Sequence, residues 1–226
     1  MHARSCPASA AAAGAEAAAG QNPAPSMKRL FDLAFVTLTV PFWLTGLLVV
    51  AAMVRVGLGT PVFFTQPRVG RGGRIFRLWK FRTMTDARDA AGNLLPDSER
   101  LTRLGRMLRS TSLDEFPSVI NVIRGDMSIV GPRPLLVEYL PLYSARQARR
   151  HEVPPGVTGW AQIHGRNAQT WSQRFEYDVW YVENRSFWLD LKILGLTFGK
   201  VLKREGVSAD GHVTMEPFRG GTGEAS

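Results

Sequence analysis

The chain has 226 residues, with 28 Lys and Arg against 19 Asp and Glu, which gives a formal net charge of +9 at pH 7. This length suits one compact domain plus an anchor, and the positive charge indicates an anionic partner such as lipid headgroups, a phosphorylated substrate or nucleic acid. Cys6 is the single cysteine and the four histidines are scattered, which excludes a disulfide framework and argues against a zinc site.

Residues 1–26 are rich in Ala, Gly, Ser and Pro. They are too poor in large apolar side chains to form a packed core, and they lack the apolar region of a secretory signal. We therefore expect residues 1–26 to form a disordered Ala-rich tail.

An uncharged apolar run extends from Leu33 to Val54. At about 1.5 Å per residue it gives roughly 33 Å of helix, enough to cross a hydrocarbon core of about 30 Å. Pro41 lies near its middle and cannot donate to the helix ladder, so we expect a bend there, with nearby threonine hydroxyls bonding the freed backbone groups. Because basic residues flank both ends, the pattern favours a re-entrant membrane helix over residues 27–58. The alternative is a kinked transmembrane helix.

A β-hairpin is predicted directly after this anchor. Val62–Phe64 and Ile75–Phe81 are rich in apolar and aromatic residues, and the turn segment Gly70-Arg71-Gly72-Gly73 separates them. Period-two alternation on the second strand places Lys80 on the same face as Leu78. The Gly-rich segment joins strand to strand and has no Walker lysine after it, so it is not a nucleotide fingerprint.

Two further helices are predicted to be amphipathic. Arginines recur every third residue opposite a leucine stripe, which indicates one helix with a basic face: Arg100, Arg103, Arg106 and Arg109. That face is either solvated or laid against anionic lipid or substrate phosphates. A final helix is predicted from about Asp190 to Lys203, with Gly206 as its stop. The aromatic residues of the C-terminal third fit core packing, with an interfacial role for some of them.

Ser112-Leu113-Asp114-Glu115 has two interpretations. In a capping box, the Ser112 side chain would accept a hydrogen bond from the Glu115 backbone N–H, and the Glu115 side chain would accept one from the Ser112 backbone N–H. As a functional site, adjacent carboxylates at a helix start would bind a divalent cation or attack an electrophile. Both can hold together.

The cations around this tetrapeptide favour the functional interpretation. Arg109 precedes it, and the rigid segment Gly131-Pro132-Arg133-Pro134 follows. Arginine forks match phosphate oxygens bidentately. A carboxylate pair, a hard metal ion and arginines make a site for phosphoryl transfer, where positioning and charge neutralisation supply most of the catalysis.

At this point the chain resembles the small monotopic phosphoglycosyl transferases, also called bacterial sugar transferases. The similarity covers residues 28–216. The segments that carry it are, in order, Lys28-Arg29-Leu30-Phe31-Asp32, Trp79-Lys80-Phe81-Arg82-Thr83-Met84, Arg109-Ser110-Thr111-Ser112-Leu113-Asp114-Glu115, Gly125-Asp126-Met127-Ser128, Gly131-Pro132-Arg133-Pro134, Pro155-Gly156-Val157-Thr158-Gly159-Trp160-Ala161-Gln162 and Asp190-Leu191-Lys192. The agreement through residues 134–143 looks most like the members that act on UDP-N,N′-diacetylbacillosamine or a related N-acetylated sugar.

The resemblance implies an activity and a mechanism. It implies transfer of a sugar 1-phosphate from a UDP-sugar to polyprenyl (undecaprenyl) phosphate at the cytoplasmic face of the bacterial inner membrane, with Mg²⁺ and release of UMP. Asp114 would attack the sugar-linked phosphorus and hold the metal, and Glu115 would assist it. Phosphate binding falls to Lys80, Arg109 and Arg133. Asp190 is a further active-site candidate.

The predicted fold is mixed α/β. It consists of the re-entrant membrane helix, a small and mainly helical phosphoglycosyl transferase domain over residues 59–216 that carries the β-hairpin, interfacial amphipathic helices, and a flexible tail over residues 217–226. Anionic membrane lipids are expected partners and nucleic acid is not. The alternative function is a non-catalytic, membrane-anchored basic scaffold or nucleic-acid-binding protein, although no nucleic-acid-binding motif is visible.

Overall fold

The structure, a computed structural model, describes residues 27–165, 169–203 and 217–220. The predicted disordered tail, residues 1–26, and the predicted helix stop at Gly206 lie outside the described residues. The helices are α1 Met27–Leu38, α2 Val40–Gly57, α3 Asp97–Arg100, α4 Arg103–Ser110, α5 Val119–Arg124, α6 Ala145–Ala148, α7 Trp160–His164, α8 Trp171–Asn184 and α9 Phe187–Lys203. The 3₁₀ helices are Arg71–Gly73, Leu113–Ser118, Val137–Leu142 and Arg149–Glu152. The strands are β1 Phe63–Val69, β2 Ile75–Phe81, β3 Ser128–Val130 and β4 Gly156–Thr158.

The strands form two small sheets. β1 and β2 pair antiparallel as a hairpin, and β3 and β4 pair parallel. Helices make up most of the remaining regular structure, which confirms a mixed and mostly helical fold with a β-hairpin.

The predicted bend at Pro41 is a complete break between α1 and α2. Pro41 lies in the first turn of α2, where its missing N–H leaves no helix bond unmade. Thr39, between the two helices, donates from its hydroxyl to the Phe35 carbonyl at 2.7 Å. The Trp43 indole N–H donates back to the Val36 carbonyl at 2.8 Å. The break is therefore held by local hydrogen bonds rather than left open to water.

Among the helices that the structure describes, α2 alone is long and apolar enough to cross a membrane. Its 18 residues give about 27 Å of helix. Most of its surface is exposed, and Leu38 and Phe42, on either side of the break, are 79% and 80% exposed.

Both ends of this helix pair contact the rest of the molecule. Near the start of α1, Arg29 donates to the Ile123 carbonyl at 2.6 Å. The Asp32 carboxylate accepts from the Ser128 hydroxyl at 3.1 Å. At the other end, Val50 and Val54 of α2 are buried against a cluster that contains Phe81, Leu108 and Leu113. The start of α1 and the end of α2 thus pack on the same body.

The hairpin confirms its predicted second strand but has a longer first strand. β1 continues through Pro67 and Arg68 to Val69, which pairs with Ile75. Proline is tolerated there because β1 has β2 as its only partner in this sheet, so Pro67 lies on an edge strand. The added length also brings Arg68 into an antiparallel bridge with Leu136.

The predicted basic helix is wrong in its extent. The chain forms α3 and α4 with a break at Leu101 and Thr102, because Leu101 bridges to Met84 and the Thr102 hydroxyl caps α4 by accepting from the Gly105 N–H at 2.9 Å. Arg100 belongs to α3 and bonds the Thr85 carbonyl at 3.0 Å. Arg103 and Arg106 keep the exposed basic face on α4.

The C-terminal helices pack over the parallel strand pair. α9 begins at Phe187, three residues before the predicted start, and its Ile193 is fully buried. Phe218 falls in the segment predicted to be a flexible tail, yet it is only 4% exposed and packs with Tyr139 and Phe175. This residue therefore contributes to the core.

Candidate active site

The two adjacent carboxylates lie in a sharp turn after α4. Ser112 adopts a left-handed backbone conformation with φ of 58°, which turns the chain into the 3₁₀ helix Leu113–Ser118. Its side chain does not cap that helix, and the Glu115 side chain bonds elsewhere, so the capping-box interpretation is wrong. Asp114 and Glu115 both lie in the first turn.

Glu115 is held by two cations. Lys80, on β2, donates to Oε1 at 2.8 Å. Arg133 donates from Nη1 to Oε2 at 3.1 Å and from Nη2 to Oε1, a bidentate contact. Burial disfavours the charged carboxylate, but Arg133 and Lys80 outweigh this effect and hold the pKa of Glu115 well below its usual range. Glu115 is therefore an ionised group that positions two cations.

Asp114 has a different environment although it is the next residue. Burial, together with the negative charge of Glu115, raises the pKa of Asp114 above its ordinary value. Lys80, Arg133 and Arg109 act in the opposite direction but do not cancel this rise. The Asp114 carboxylate makes no hydrogen bond or ion pair with any residue that the structure describes. It is a half-buried acid whose ionised form an additional cation would favour.

Arg109 reaches the site from the last turn of α4. Its Nε donates to the Thr83 hydroxyl at 3.1 Å. α4 lies so close to the segment after β2 that a Cβ at Gly105 would come 1.9 Å from the Thr83 carbonyl oxygen. Glycine at 105 is thus required for Arg109 to sit beside the hairpin.

Arg133 is fixed through its backbone. The Gly131 N–H donates to the Thr158 carbonyl at 2.9 Å, and a Cβ at Gly131 would lie 2.5 Å from the Pro154 carbonyl oxygen. Arg150 donates to the Arg133 carbonyl at 2.7 Å and is itself paired with Asp178, their side chains being 1% and 2% exposed. Sequence analysis missed this supporting pair, since nothing in the local pattern around either residue distinguishes it from a surface charge.

Lys80, Glu115 and Arg133 line an open cleft whose empty volume, counting the space open to solvent, is about 300 Å³, whereas Asp114 and Arg109 are not among its lining residues. Its lining residues are Arg68, Leu78, Lys80, Glu115, Ser118, Met127, Arg133, Pro134, Gly156 and Val157. The structure brings Lys80, Glu115 and Arg133 together as predicted. Arg68 was not among the predicted site residues. Had β1 been predicted to its full length, alternation would have placed Arg68 on the face of Lys80.

Asp190, the further active-site candidate, has both of its carboxylate oxygens bonded within the chain. It pairs with Lys28 of α1 and accepts from the Tyr181 hydroxyl at 2.7 Å. It is not among the described residues that line the cleft. Its role in the structure is to tie the start of α1 to α8 and α9.

The described residues contain no group of three His, Cys, Asp or Glu side chains that could hold a metal ion by themselves. Mg²⁺, however, is commonly bound through one or two carboxylates together with substrate phosphates. Asp114, a carboxylate with a raised pKa and no bonded partner in the described chain, fits such a shared site. Glu115 fits it less well because both of its oxygens are engaged by cations.

Comparisons with known proteins identify the family of the chain. The model of the bacterial sugar transferase family matches residues 24–204. A Bacillus subtilis protein named "Uncharacterized sugar transferase EpsL" is 58% identical over 194 residues, which cover 86% of this chain and 96% of that protein. The UDP-glucose:undecaprenyl-phosphate glucose-1-phosphate transferase of Klebsiella pneumoniae is 41% identical over 76% of this chain. The UDP-N-acetylgalactosamine-undecaprenyl-phosphate N-acetylgalactosaminephosphotransferase of Aeromonas hydrophila is 35% identical over 78% of it. The match covers 39% and 44% of these two longer relatives.

Proposed function

Since the chain belongs to the bacterial sugar transferase family, we propose that it transfers a sugar 1-phosphate from a UDP-sugar to polyprenyl phosphate and releases UMP. The names of the Klebsiella and Aeromonas relatives support both substrate classes. The cationic cleft beside a half-buried acid supports a reaction at phosphorus.

The observation that carries the proposal is the contrast between the two adjacent carboxylates. Glu115 is occupied by Lys80 and Arg133, whereas Asp114 has no bonded partner in the described chain. We assign Asp114 as the nucleophile. One carboxylate oxygen attacks the phosphorus that carries the sugar, the bond to the bridging oxygen breaks, and UMP leaves with the electron pair. An oxygen of polyprenyl phosphate then attacks the same phosphorus and releases the Asp114 carboxylate.

The other residues position and neutralise charge. Glu115 holds the Lys80 ammonium and the Arg133 fork at the cleft, so both cations are preorganised for phosphate oxygens. Arg109 adds a third positive charge near Asp114. Mg²⁺ held by Asp114 and substrate phosphates would supply further charge neutralisation.

The anchor is proposed to be re-entrant, at the cytoplasmic face of the bacterial inner membrane. The start of α1 and the end of α2 both pack on the catalytic domain, which supports a path that enters the bilayer and returns. The break, with exposed Leu38 and Phe42, would be the part inserted most deeply. Cysteines placed at residues 28 and 60 should both react with a cytoplasmic label, and labelling from opposite sides would establish a spanning helix.

The donor sugar is proposed to be N-acetylated, in line with the sequence agreement through residues 134–143. The relatives' names include glucose and N-acetylgalactosamine, so sugar identity varies within the family. A panel of UDP-sugars tested for UMP release should rank UDP-N,N′-diacetylbacillosamine or another N-acetylated donor first. A preference for UDP-glucose or UDP-galactose would contradict this assignment.

The experiment that tests the function compares Asp114→Asn with the wild-type chain and with Asp97→Asn. Asp97 is an exposed carboxylate in the first turn of α3, so its variant controls for loss of a charge. We expect Asp114→Asn to slow UMP release at least about 100-fold, or some 2.7 kcal/mol of barrier. Asp97→Asn should match the wild-type rate. Full activity of Asp114→Asn would remove Asp114 from this role, and no UMP release from any UDP-sugar by the wild-type chain would favour the non-catalytic scaffold.

A further inference from the structure

Arg68 lies on the cleft face of the hairpin. In the register of β1 and β2, Arg68 is opposite Phe76, Gln66 is opposite Leu78 and Phe64 is opposite Lys80. Residues two apart on a strand share a face, so the Arg68 and Lys80 side chains project from the same side of the sheet. Both residues line the cleft.

The Arg68 guanidinium is only partly satisfied. One terminal nitrogen donates to the Gln66 side-chain oxygen at 2.7 Å. Nε is buried and has no acceptor among the residues that the structure describes. Burial, together with the nearby Arg133 charge, lowers the pKa of Arg68. The surroundings of Arg68 in the folded protein therefore disfavour, on balance, the charged form of its guanidinium.

The net charge of the cleft indicates that its ligand is an anion. Its lining includes three cations, Arg68, Lys80 and Arg133, and one carboxylate, Glu115, which leaves a net charge of +2. Lys80 and Arg133 bind that carboxylate directly, whereas Arg68 does not. An arginine whose buried Nε has no acceptor is costly to the fold unless an anion binds it. A phosphate oxygen is the acceptor that best matches the guanidinium fork.

We propose that Arg68 is a substrate-binding residue that donates to a phosphate oxygen in the cleft. This inference rests on the proposed function, which brings two phosphate-bearing substrates to the site. The donor carries a diphosphate and the acceptor carries a monophosphate. The chemistry that Arg68 recognises is the same in both, and the test below separates the two sources.

The test compares Arg68→Gln with Arg77→Gln in the full chain. Arg77 is an exposed arginine of the same hairpin, opposite Pro67, so its variant removes the same charge from the other face. Calorimetry measures binding of UDP and of inorganic pyrophosphate, and thermal unfolding measures stability without ligand. Initial rates give KM for polyprenyl phosphate. Arg68→Lys is carried as a second variant because lysine keeps the charge and loses the fork.

We expect Arg68→Gln to weaken UDP and pyrophosphate binding at least about tenfold, as for loss of a charge-assisted hydrogen bond. Its unfolding temperature without ligand should equal or exceed that of the wild type, because a cation whose buried Nε has no acceptor is removed. The affinity of Arg68→Lys for UDP and pyrophosphate should lie between the affinities of the wild type and Arg68→Gln. Arg77→Gln should match the wild type. If UDP affinity is unchanged but the KM for polyprenyl phosphate rises at least about tenfold, Arg68 is still a substrate-binding residue, and the phosphate that it binds is that of the acceptor.

Unchanged affinity for both ligands, together with an unchanged KM for polyprenyl phosphate, would overturn the inference. A lower unfolding temperature with intact ligand binding would also overturn it, since that result identifies a structural arginine. Pyrophosphate binding requires no turnover, so it separates this inference from the proposed function. A wild-type chain that releases no UMP but binds pyrophosphate through Arg68 would contradict the function and leave the binding residue in place.

Discussion

The cleft and the α8–α9 side of the molecule contain similar charged residues in opposite states. On the α8–α9 side, Asp178 accepts two hydrogen bonds from Arg150, and Asp190 is bound by both Lys28 and Tyr181. At the cleft, by contrast, Asp114, the neighbour of the lining residue Glu115, has no bonded partner in the described chain, and Arg68 has a buried Nε without an acceptor among the described residues.

This difference indicates which charges serve the fold and which serve a substrate. A buried charge that is fully paired within the chain has no hydrogen-bonding group left to bind a ligand. Removing such a charge by substitution lowers the stability of the fold. A buried charge that is left partly unsatisfied costs stability, and it is retained at sites where a ligand completes it. The two regions should therefore respond to substitution in opposite ways.

The largest effect on stability is expected at Asp178. Asp178→Asn leaves the Arg150 guanidinium buried without its counter-charge, and removing one partner of such a pair costs about 3–5 kcal/mol. Urea unfolding of the detergent-solubilised chain measures the change. The matched control is Glu176→Gln on the same helix, whose exposed pair with Arg146 should contribute far less to stability. Equal effects at the two positions would show that the Arg150–Asp178 pair does not support the fold.

Glu115→Gln is expected to reduce both activity and stability, since Glu115 belongs to the cleft but is fully paired. UMP release should fall at least about 100-fold, because Lys80 and Arg133 lose the group that positions them. The free energy of unfolding should drop by about 1–3 kcal/mol at neutral pH. The pKa of Glu115 is lowered in the folded state, so its stabilisation is present above the ordinary value of 4.5 and is lost as the pH falls below it.

The stability difference between Glu115→Gln and the wild type should accordingly shrink as the pH falls below 4.5. Unfolding curves collected across this range measure it. A difference that stays constant with pH would mean that the carboxylate charge does not hold the two cations.

Asp190→Asn should reduce stability by about 1–2 kcal/mol through loss of the charge that holds Lys28. Because Lys28 and Tyr181 already bind the two carboxylate oxygens of Asp190, UMP release per folded molecule should stay close to the wild-type rate. The two measurements are unfolding and specific activity corrected for the folded fraction. A loss of activity as large as that of Asp114→Asn, with stability intact, would return Asp190 to the active site.

The smallest change in stability is expected for Asp114→Asn, and its sign depends on pH. The pKa of Asp114 is raised in the folded state. As the pH rises above the ordinary value of 3.8, ionisation of Asp114 therefore lowers the stability of the folded protein relative to the unfolded chain. Asparagine carries no charge, so the variant should be as stable as the wild type near pH 3 and equal or more stable at pH 7. A variant that is less stable at pH 7 would show that the chain itself satisfies the Asp114 carboxylate.

Several features could be predicted because their causes are local. Pro41 cannot continue the ladder of a helix, and the structure breaks there. Alternation on β2 placed Lys80 on the face of Leu78, and both residues line the cleft. The acidic pair and the Pro-flanked arginine were assigned to one site, and Glu115 and Arg133 are bonded to each other.

Other features could not be predicted because contacts distant in sequence decide them. The strand β1 extends past Pro67 because the segment at Leu136 pairs beside it. The arginine repeat is interrupted because Leu101 bridges to Met84. Glu115 leaves the capping position because Lys80 and Arg133 bind it more strongly than a backbone N–H would. The local sequence around Asp190 does not distinguish it from Asp114, because its partner Lys28 is distant in sequence and is brought to it only by the fold.

In the proposed reaction, Asp114 becomes bonded to phosphorus during turnover. Its most direct test is the intact mass of the enzyme after rapid quenching with its UDP-sugar donor in the absence of polyprenyl phosphate. We expect a mass increase of one sugar 1-phosphate, located on Asp114 and removed when the acceptor is added before quenching. An unmodified enzyme under these conditions, while lipid-linked product still accumulates once acceptor is supplied, would contradict it.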